Sequence, residues 1–494
     1  MLSLVRSTKN TFVPINQFPP EVLSLIAWHH FHPEDPDEEL ITLTHVCRSW
    51  REILISHASL WTSLDCTDVD KTRVYLERSK TSPLKIHLEH RWLCDAFLLT
   101  VPHLDRLGSL FLTGAPNDLL QLIQEHFVSP APLLKTFSIW VTEVGDFSLQ
   151  DSIFGGDLSS LHELLLDGAV TNLAWENMSN LTKFELRTIP PDKISVTQLL
   201  NLFERAPLLR DILLEEAFPD FSDARPGRVL SLPNLEKLVI TAQPLHTILT
   251  NHLLIPTGAS ISQAFSFYDT KSPIHSHLPK DLTNLKNLSS ITSINLDFDH
   301  GAYLRLEGPS GGHYILGDWA GGGRISANTG RRVVRSLDVF NVSAVEKLAI
   351  GHWRFAAPPS SPVEESSIYR TLHRMNNLRT LTLTSCLNLP FIHTLDPVQN
   401  GSGTVICPKL EQLILYVKRQ DRFYLKELLA MAKERASRGA KLGTITINCA
   451  DAFVPVSEVL ELRTWIPHVE YRLGSVTPAW DAIPRDVRRT DYEQ

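Results

Sequence analysis

The sequence predicts an α/β protein: a small helical unit, then a long solenoid with parallel strands on its concave face and helices on its convex face. Three observations carry this. A phrase of the form L-x-x-L-x-L returns along most of the chain, which is the alternation of a half-buried strand preceded by a buried turn. Stretches with apolar residues three and four apart fall between many of the copies, as crossovers between parallel strands require. Residues 13–64 lack the phrase and carry helical spacing instead.

Residues 1–12 read as a tail, and residues 13–64 as the helical unit. Pro19 and Pro20 suit a first helical turn, where a missing N–H has no partner to lose. Val22, Leu23 and Ile26 then form an apolar face. Leu40, Leu43, Val46, Cys47 and Trp50 recur at steps of three and four and predict one stripe on a second helix, with Leu60 and Trp61 beyond it. The acidic run from Glu34 to Glu39 reads as a solvated loop between the two helices. Such a unit is too small to bury all this apolar surface, so part of it is expected to meet a partner.

Phe18-Pro19-x-Glu21, Leu43-x-x-Val46-Cys47-Arg48-x-Trp50 and Leu60-Trp61 together resemble an F-box, the module by which substrate receptors dock on the Skp-type adaptor of a cullin-based ubiquitin ligase. Phe18 stands where that family usually has Leu, and the stretch between the first two helices is longer than usual. The resemblance implies that Phe18, Pro19, Val22, Leu43, Val46, Cys47, Trp50 and Trp61 support or contact the adaptor.

Residues 65–100 predict a helix and a strand that couple this unit to the array and form its first degenerate repeat. From 101 to 475 the phrase recurs, with strand positions at Leu110, Phe137, Leu164, Phe184, Ile212, Leu238, Ile294, Leu348, Leu381, Leu413 and Ile445. The steps run from 20 to 33 residues, apart from two of 56 and 54. This is the period of leucine-rich repeats, in which neighbouring copies bury one another's leucines and no copy stands alone. Helical spacing marks 117–127, 195–206, 366–375 and 422–436. The long steps hold insertions at 241–287, with a degenerate strand at Ala264–Phe267, and at 301–331, with a hairpin of Tyr303–Glu307 and His313–Leu316. Residues 455–473 predict a closing helix and strand, and 476–494 a tail. Fungal F-box proteins with degenerate leucine-rich repeats are similar across almost the whole chain.

Composition excludes several functions. A net charge of −8 argues against a general binder of nucleic acid or membrane surfaces, both of which favour a basic protein. No apolar run approaches a membrane span and the first residues lack a signal-peptide core. Six cysteines with no C-x-x-C pair fit reduced thiols in the cytoplasm or nucleus. Phosphate-loop and zinc-protease signatures are missing, so no cofactor, metal or enzymatic activity is expected. Gly308-Pro309-Ser310-Gly311-Gly312 matches G-x-S-x-G, but a strand follows where a nucleophile elbow needs a helix, so a hairpin turn is the better reading. His87 and His90 point to opposite faces if they share a strand, which argues against a shared metal. Gly321 to Gly323 with Arg324 open no helix and read as a loop.

What remains is recognition. Residues alternating with the buried leucines would line the concave face, and Phe111, Trp140, Leu165 and Leu213, with Arg187 at the rim, form the expected target-binding patch. The sequence thus points to the substrate-recognition subunit of a Skp-cullin-F-box ubiquitin ligase, with the adaptor, a cullin and a target protein as partners. The alternative is a leucine-rich-repeat scaffold whose F-box acts outside a ligase. Recovery of a cullin with the adaptor separates the two.

Overall fold

In the computed structural model, the residues described are 13–30, 36–89, 95–143, 147–150, 152–169, 171, 178–190, 193–217, 220, 222–223, 227–241, 245–265, 282–297, 303–318, 337–351, 370–384, 388–417, 425–449 and 456–473. They form a mixed α/β protein in two compact units, one of Met1–Leu209 with Pro219–Ala224, the other of Arg210–Phe218 with Arg225–Gln494.

The first unit begins with helices at Pro20–His30, Pro36–Thr44 and Arg48–Ser56. Two expectations are corrected here. The stripe from Leu40 to Trp50 lies on two helices, not one. Thr44 turns its hydroxyl back to the Ile41 carbonyl at 2.6 Å, and His45 and Val46 close tight i→i−3 bonds to Thr42 and Leu43. These poor helix formers end the helix, and extended Cys47 (φ −159°) starts the next. The acidic loop is also shorter than expected, because Asp37, Glu38 and Glu39 belong to the helix that starts at Pro36. Proline suits a first helical turn and carboxylates are favoured at the positive end of the helix dipole. Glu34 and Asp35 lie outside the described residues.

Strands β1 (Ser63–Leu64), β2 (Leu84–Glu89), β3 (Leu107–Gly114), β4 (Thr136–Val141), β5 (Glu163–Asp167) and β6 (Lys183–Ile189) follow, each pairing in parallel with the next. Register aligns Ile86, Leu110, Phe137, Leu164 and Phe184 in one row, and Leu88, Leu112, Ile139, Leu166 and Leu186 in the next. Every side chain of both rows is buried, which is the physical content of the repeated phrase. Behind them, Phe97, Phe127, Phe154 and Phe137 contact ring to ring at 5.5–5.9 Å between centroids. Helix Pro116–His126 buries Leu119, Leu122 and Ile123. Helix Val196–Arg205 opens on a reciprocal cap between Ser195 and Gln198.

The second unit contains β7 (Asp211–Ala217), the paired short strands β8 (Leu230–Ser231) and β10 (Leu253–Leu254), β9 (Lys237–Ile240) and β11 (Ser260–Phe265). It continues through β12 (Ser293–Asp297), β13 (Tyr303–Glu307), β14 (His313–Asp318), β15 (Lys347–Ile350), β16 (Thr380–Thr384), β17 (Gln412–Val417), β18 (Thr444–Cys449) and β19 (His468–Leu473). The sheet runs β7–β9–β11–β14–β13–β12–β15–β16–β17–β18–β19, parallel except where β13 pairs with both neighbours in the opposite sense. The degenerate strand begins at Ser260, four residues before its expected start, because Ile261 aligns with Leu238 and carries the inward position. Phe267, the helical stretch 366–369 and both tails lie outside the described residues.

Two sites in this unit are built by single residues. A Cβ at Gly312 would sit 2.2 Å from the Thr257 carbonyl oxygen, so only glycine lets the β13–β14 turn pass there. Helix Leu425–Ser437 buries Arg435 on its apolar stripe, where the guanidinium donates to the carbonyls of Ile406 (2.7 Å), Cys407 (2.8 Å) and Leu395 (3.4 Å). The Cys407 carbonyl also accepts the Leu410 N–H at 3.1 Å, and the one guanidinium serves all three carbonyls at once.

Candidate docking surface

The three helices are held from inside by two tryptophans. Trp61 is fully buried, and its indole N–H donates to the Leu54 carbonyl at 2.8 Å. Its ring meets Tyr75 edge to face at 5.0 Å, and the Arg78 guanidinium lies 4.2 Å above it. Trp50 is buried on the third helix, and its indole donates to Asn16 Oδ1 at 2.5 Å. Leu23, Ala27, Leu40, Leu54 and Leu60 complete this core. Of the residues expected to support or contact a partner, Trp50 and Trp61 can therefore only support.

The others lie at the surface. Phe18, Pro19 and Val46 are exposed, Val46 at 56%, while Val22, Leu43 and Cys47 are half-buried. Ile26, read from the sequence as sharing one apolar face with Val22 and Leu23, is exposed; the buried face consists of Leu23, Ser24 and Ala27. Leu25 (57%), Trp28 (54%) and Ile41 join the exposed set, and so do Val13 and Ile15 ahead of the helix. Sequence reasoning passed over Leu25, Trp28 and Ile41. The signal was present: the helix Pro20–His30 has apolar residues all round, and such a helix is covered on every side in its working state. Exposed apolar side chains in this number on a small helical unit are a feature common to interaction surfaces.

A second surface of the first unit is the outward face of its sheet. Register sets His87, Phe111, Ser138, Leu165 and Glu185 in one row, and Glu89, Thr113, Trp140, Asp167 and Arg187 in the next. Four of the five expected target-binding residues, Phe111, Trp140, Leu165 and Arg187, thus lie in adjoining rows of one face. Leu213 lies half-buried on β7 of the second unit. Trp140 is the most exposed of the set at 58%. His87 stacks flat on Phe111, 4.4 Å between ring centres, and neither ring is fully covered.

The charges on this face are largely engaged. Glu185 is buried, and burial alone would raise its pKa. Lys183 at 2.8 Å and Arg187 at 2.8 Å outweigh that and hold its carboxyl below the usual glutamate range. Arg187 is therefore an anchor for Glu185 as well as a rim residue. Burial, aided by the Lys85 charge, pushes the His87 imidazole down to about 4 against a smaller opposing pull from Asp65. His87 is neutral near pH 7 and presents an aromatic surface, which removes it as a charged contact. His90 and the run from Gly321 to Arg324 lie outside the described residues. Ser310 sits in the turn between β13 and β14, where Gly308 N–H donates to the Gly312 carbonyl at 2.9 Å. No group of three or more metal-ligating side chains occurs among the described residues, and no helix there is long and apolar enough to cross a membrane.

No curated protein matches this sequence. The F-box-like family model matches residues 15–67, which span the three helices, both tryptophans and most of the exposed set. F-box domains typically bind Skp-type adaptors, and the proteins that carry them are generally adaptors rather than enzymes. The helical unit of this chain, with apolar side chains turned outward around a tryptophan core, is similar to an F-box-like domain over residues 15–67.

Proposed function

We propose that the chain is a substrate-recognition subunit of a Skp-cullin-F-box ubiquitin ligase, working in the cytoplasm or nucleus. Its helical unit docks the adaptor, and its sheet units form a leucine-rich-repeat array that holds a target protein. The observation that carries this reading is the exposure of Phe18, Leu25, Trp28, Ile41 and Val46 on a module whose core is closed by Trp50 and Trp61. Left in water, those side chains are a liability; covered by an adaptor, they are an interface. The chain then contributes proximity, raising the concentration of the target near the loaded conjugating enzyme, and supplies no catalytic group.

The target patch fits the outward face of the first unit's sheet, around Phe111, Trp140 and Leu165, with Arg187 at its rim. Leu213 presents a separate apolar position on the second unit. Trp140→Ala is the better probe of this patch, because reversing the charge of Arg187 would also strip Glu185 of one of its two cations.

Co-purification of the tagged full chain tests the assignment. Wild type is expected to recover adaptor and cullin together, and the double variant Phe18→Ala, Val46→Asp to lose both while keeping its helical content. Retention of both by that variant would refute the docking surface. Adaptor recovered without cullin would favour the scaffold.

A further inference from the structure

We propose that residues 13–18 belong to the adaptor-docking surface and that Asn16 is the positioning residue that latches them to it. This rests on the adaptor-docking reading above and extends it ahead of the helices. The turn Pro14–Gln17 buries none of its residues, and Val13, Ile15 and Phe18 are exposed apolar side chains on and around it. Its own hydrogen bonds, Asn16 N–H to the Val13 carbonyl at 2.9 Å and Phe18 N–H to the Ile15 carbonyl at 3.4 Å, fix its local shape. They do not fix its place on the module. A short turn that buries nothing gains little from the hydrophobic effect to hold it.

The long-range bond is supplied by Trp50, whose indole N–H donates to Asn16 Oδ1 at 2.5 Å across 34 residues of chain. Trp50 is fixed in turn by its burial on the third helix, which begins two residues after exposed Val46. The bond thus ties an unburied apolar turn to a buried side chain of the third helix, which follows the segment that carries Val46. Indole has one donor and no acceptor, so the latch needs a side-chain oxygen at position 16. A turn held in place before binding loses less freedom when a partner covers it. The occupant is the apolar docking face of the Skp-type adaptor, since it is the partner that would cover Val46 and Phe18.

Titration calorimetry of the full chain with purified Skp-type adaptor tests the latch. Asn16→Ala is expected to bind about tenfold more weakly, and Asn16→Asp, which keeps the oxygen, to stay within about twofold of wild type. Hydrogen exchange on residues 48–56 should be unchanged in both, which separates positioning from unfolding. A double-mutant cycle adds the decisive reading: Ile15→Ala should weaken binding in the wild-type background and have little further effect beside Asn16→Ala. Additive losses, or an Asn16→Ala variant that binds as wild type does, would overturn the latch while leaving adaptor docking intact. Failure of the wild-type chain to bind the adaptor would overturn both.

Discussion

Replacement of Trp61 by alanine should open the helical module from within. The side chain is fully buried, so its removal is of the kind that costs about 3–5 kcal/mol in lost transfer free energy and residual cavity. Within that total, the edge-to-face contact with Tyr75 at 5.0 Å accounts for about 0.5–1.5 kcal/mol. The indole bond to the Leu54 carbonyl adds about 1 kcal/mol. Trp61→Phe keeps a ring against Tyr75 but loses the indole bond, leaving the Leu54 carbonyl with the longer His57 N–H bond at 3.3 Å, so it should cost about 0.5–1.5 kcal/mol. A chain of two units need not unfold in one step, and a global melting temperature is the wrong measure. Hydrogen exchange by mass spectrometry reads the module directly. Peptides covering 48–56 and 69–79 should lose protection in the order alanine, then phenylalanine, while 412–417 and 444–449 stay protected. Undiminished protection of those peptides in Trp61→Ala would refute the core assignment. Equal losses in the two variants would refute the partition between packing and hydrogen bond.

Two further outcomes follow from geometry. Gly312→Ala places a methyl against backbone oxygens at 2.2 and 3.0 Å, neither of which can swing aside. It should cost at least about 1–3 kcal/mol as overpacking, read as lost exchange protection over 303–318, and intact protection there would contradict it. His87 has a folded-state pKa lowered to about 4 from 6.5, so the unfolded chain binds more protons between those values. Stability from this group is complete above about pH 6.5 and lost as pH falls toward 4, and partial exposure limits it to about 1–2 kcal/mol. His87→Phe should flatten that part of the pH–stability profile of the first unit, and an unchanged slope would show that another group titrates there.

The strand skeleton was legible because one physical rule writes it. Each of the eleven positions from Leu110 to Ile445 falls in a strand, since a buried Leu or Ile at every second residue is both the sequence signal and the packing requirement. Helix ends were less legible. The break between Thr44 and Arg48 depends on a threonine hydroxyl and two tight bonds, which leave the spacing of the apolar residues unchanged. Exposure was the least legible property. Alternation tells which face a strand residue takes, not whether that face is covered. Val239, Ser262 and Ile315 occupy the outward rows of their strands and are buried, whereas Leu165 occupies the equivalent position in the first unit and is half-exposed. In the docking surface the same limit applied to Leu25 and Trp28, whose apolar character was visible but whose exposure was not. Arg435 was legible only as a surface charge, because its three carbonyl partners lie 28 to 40 residues away.

The reversed strand β13 has a consequence for how the second unit is made on the ribosome. From β15 to β19 each strand can be added as it emerges, resting on the one before it. Here β11 does not pair with β12, the next strand of the sheet to be synthesised; its partner is β14, with Ser260 facing His313 from 53 residues further on. At about 5–20 residues per second, the edge of β11 waits roughly 3–10 s for that partner. During this interval it is an unpaired strand beside a growing apolar face. The free edge of β12 waits likewise for β15, with Ser293 facing Lys347 from 54 residues further on, so vectorial assembly pauses at both strands that flank the reversed hairpin.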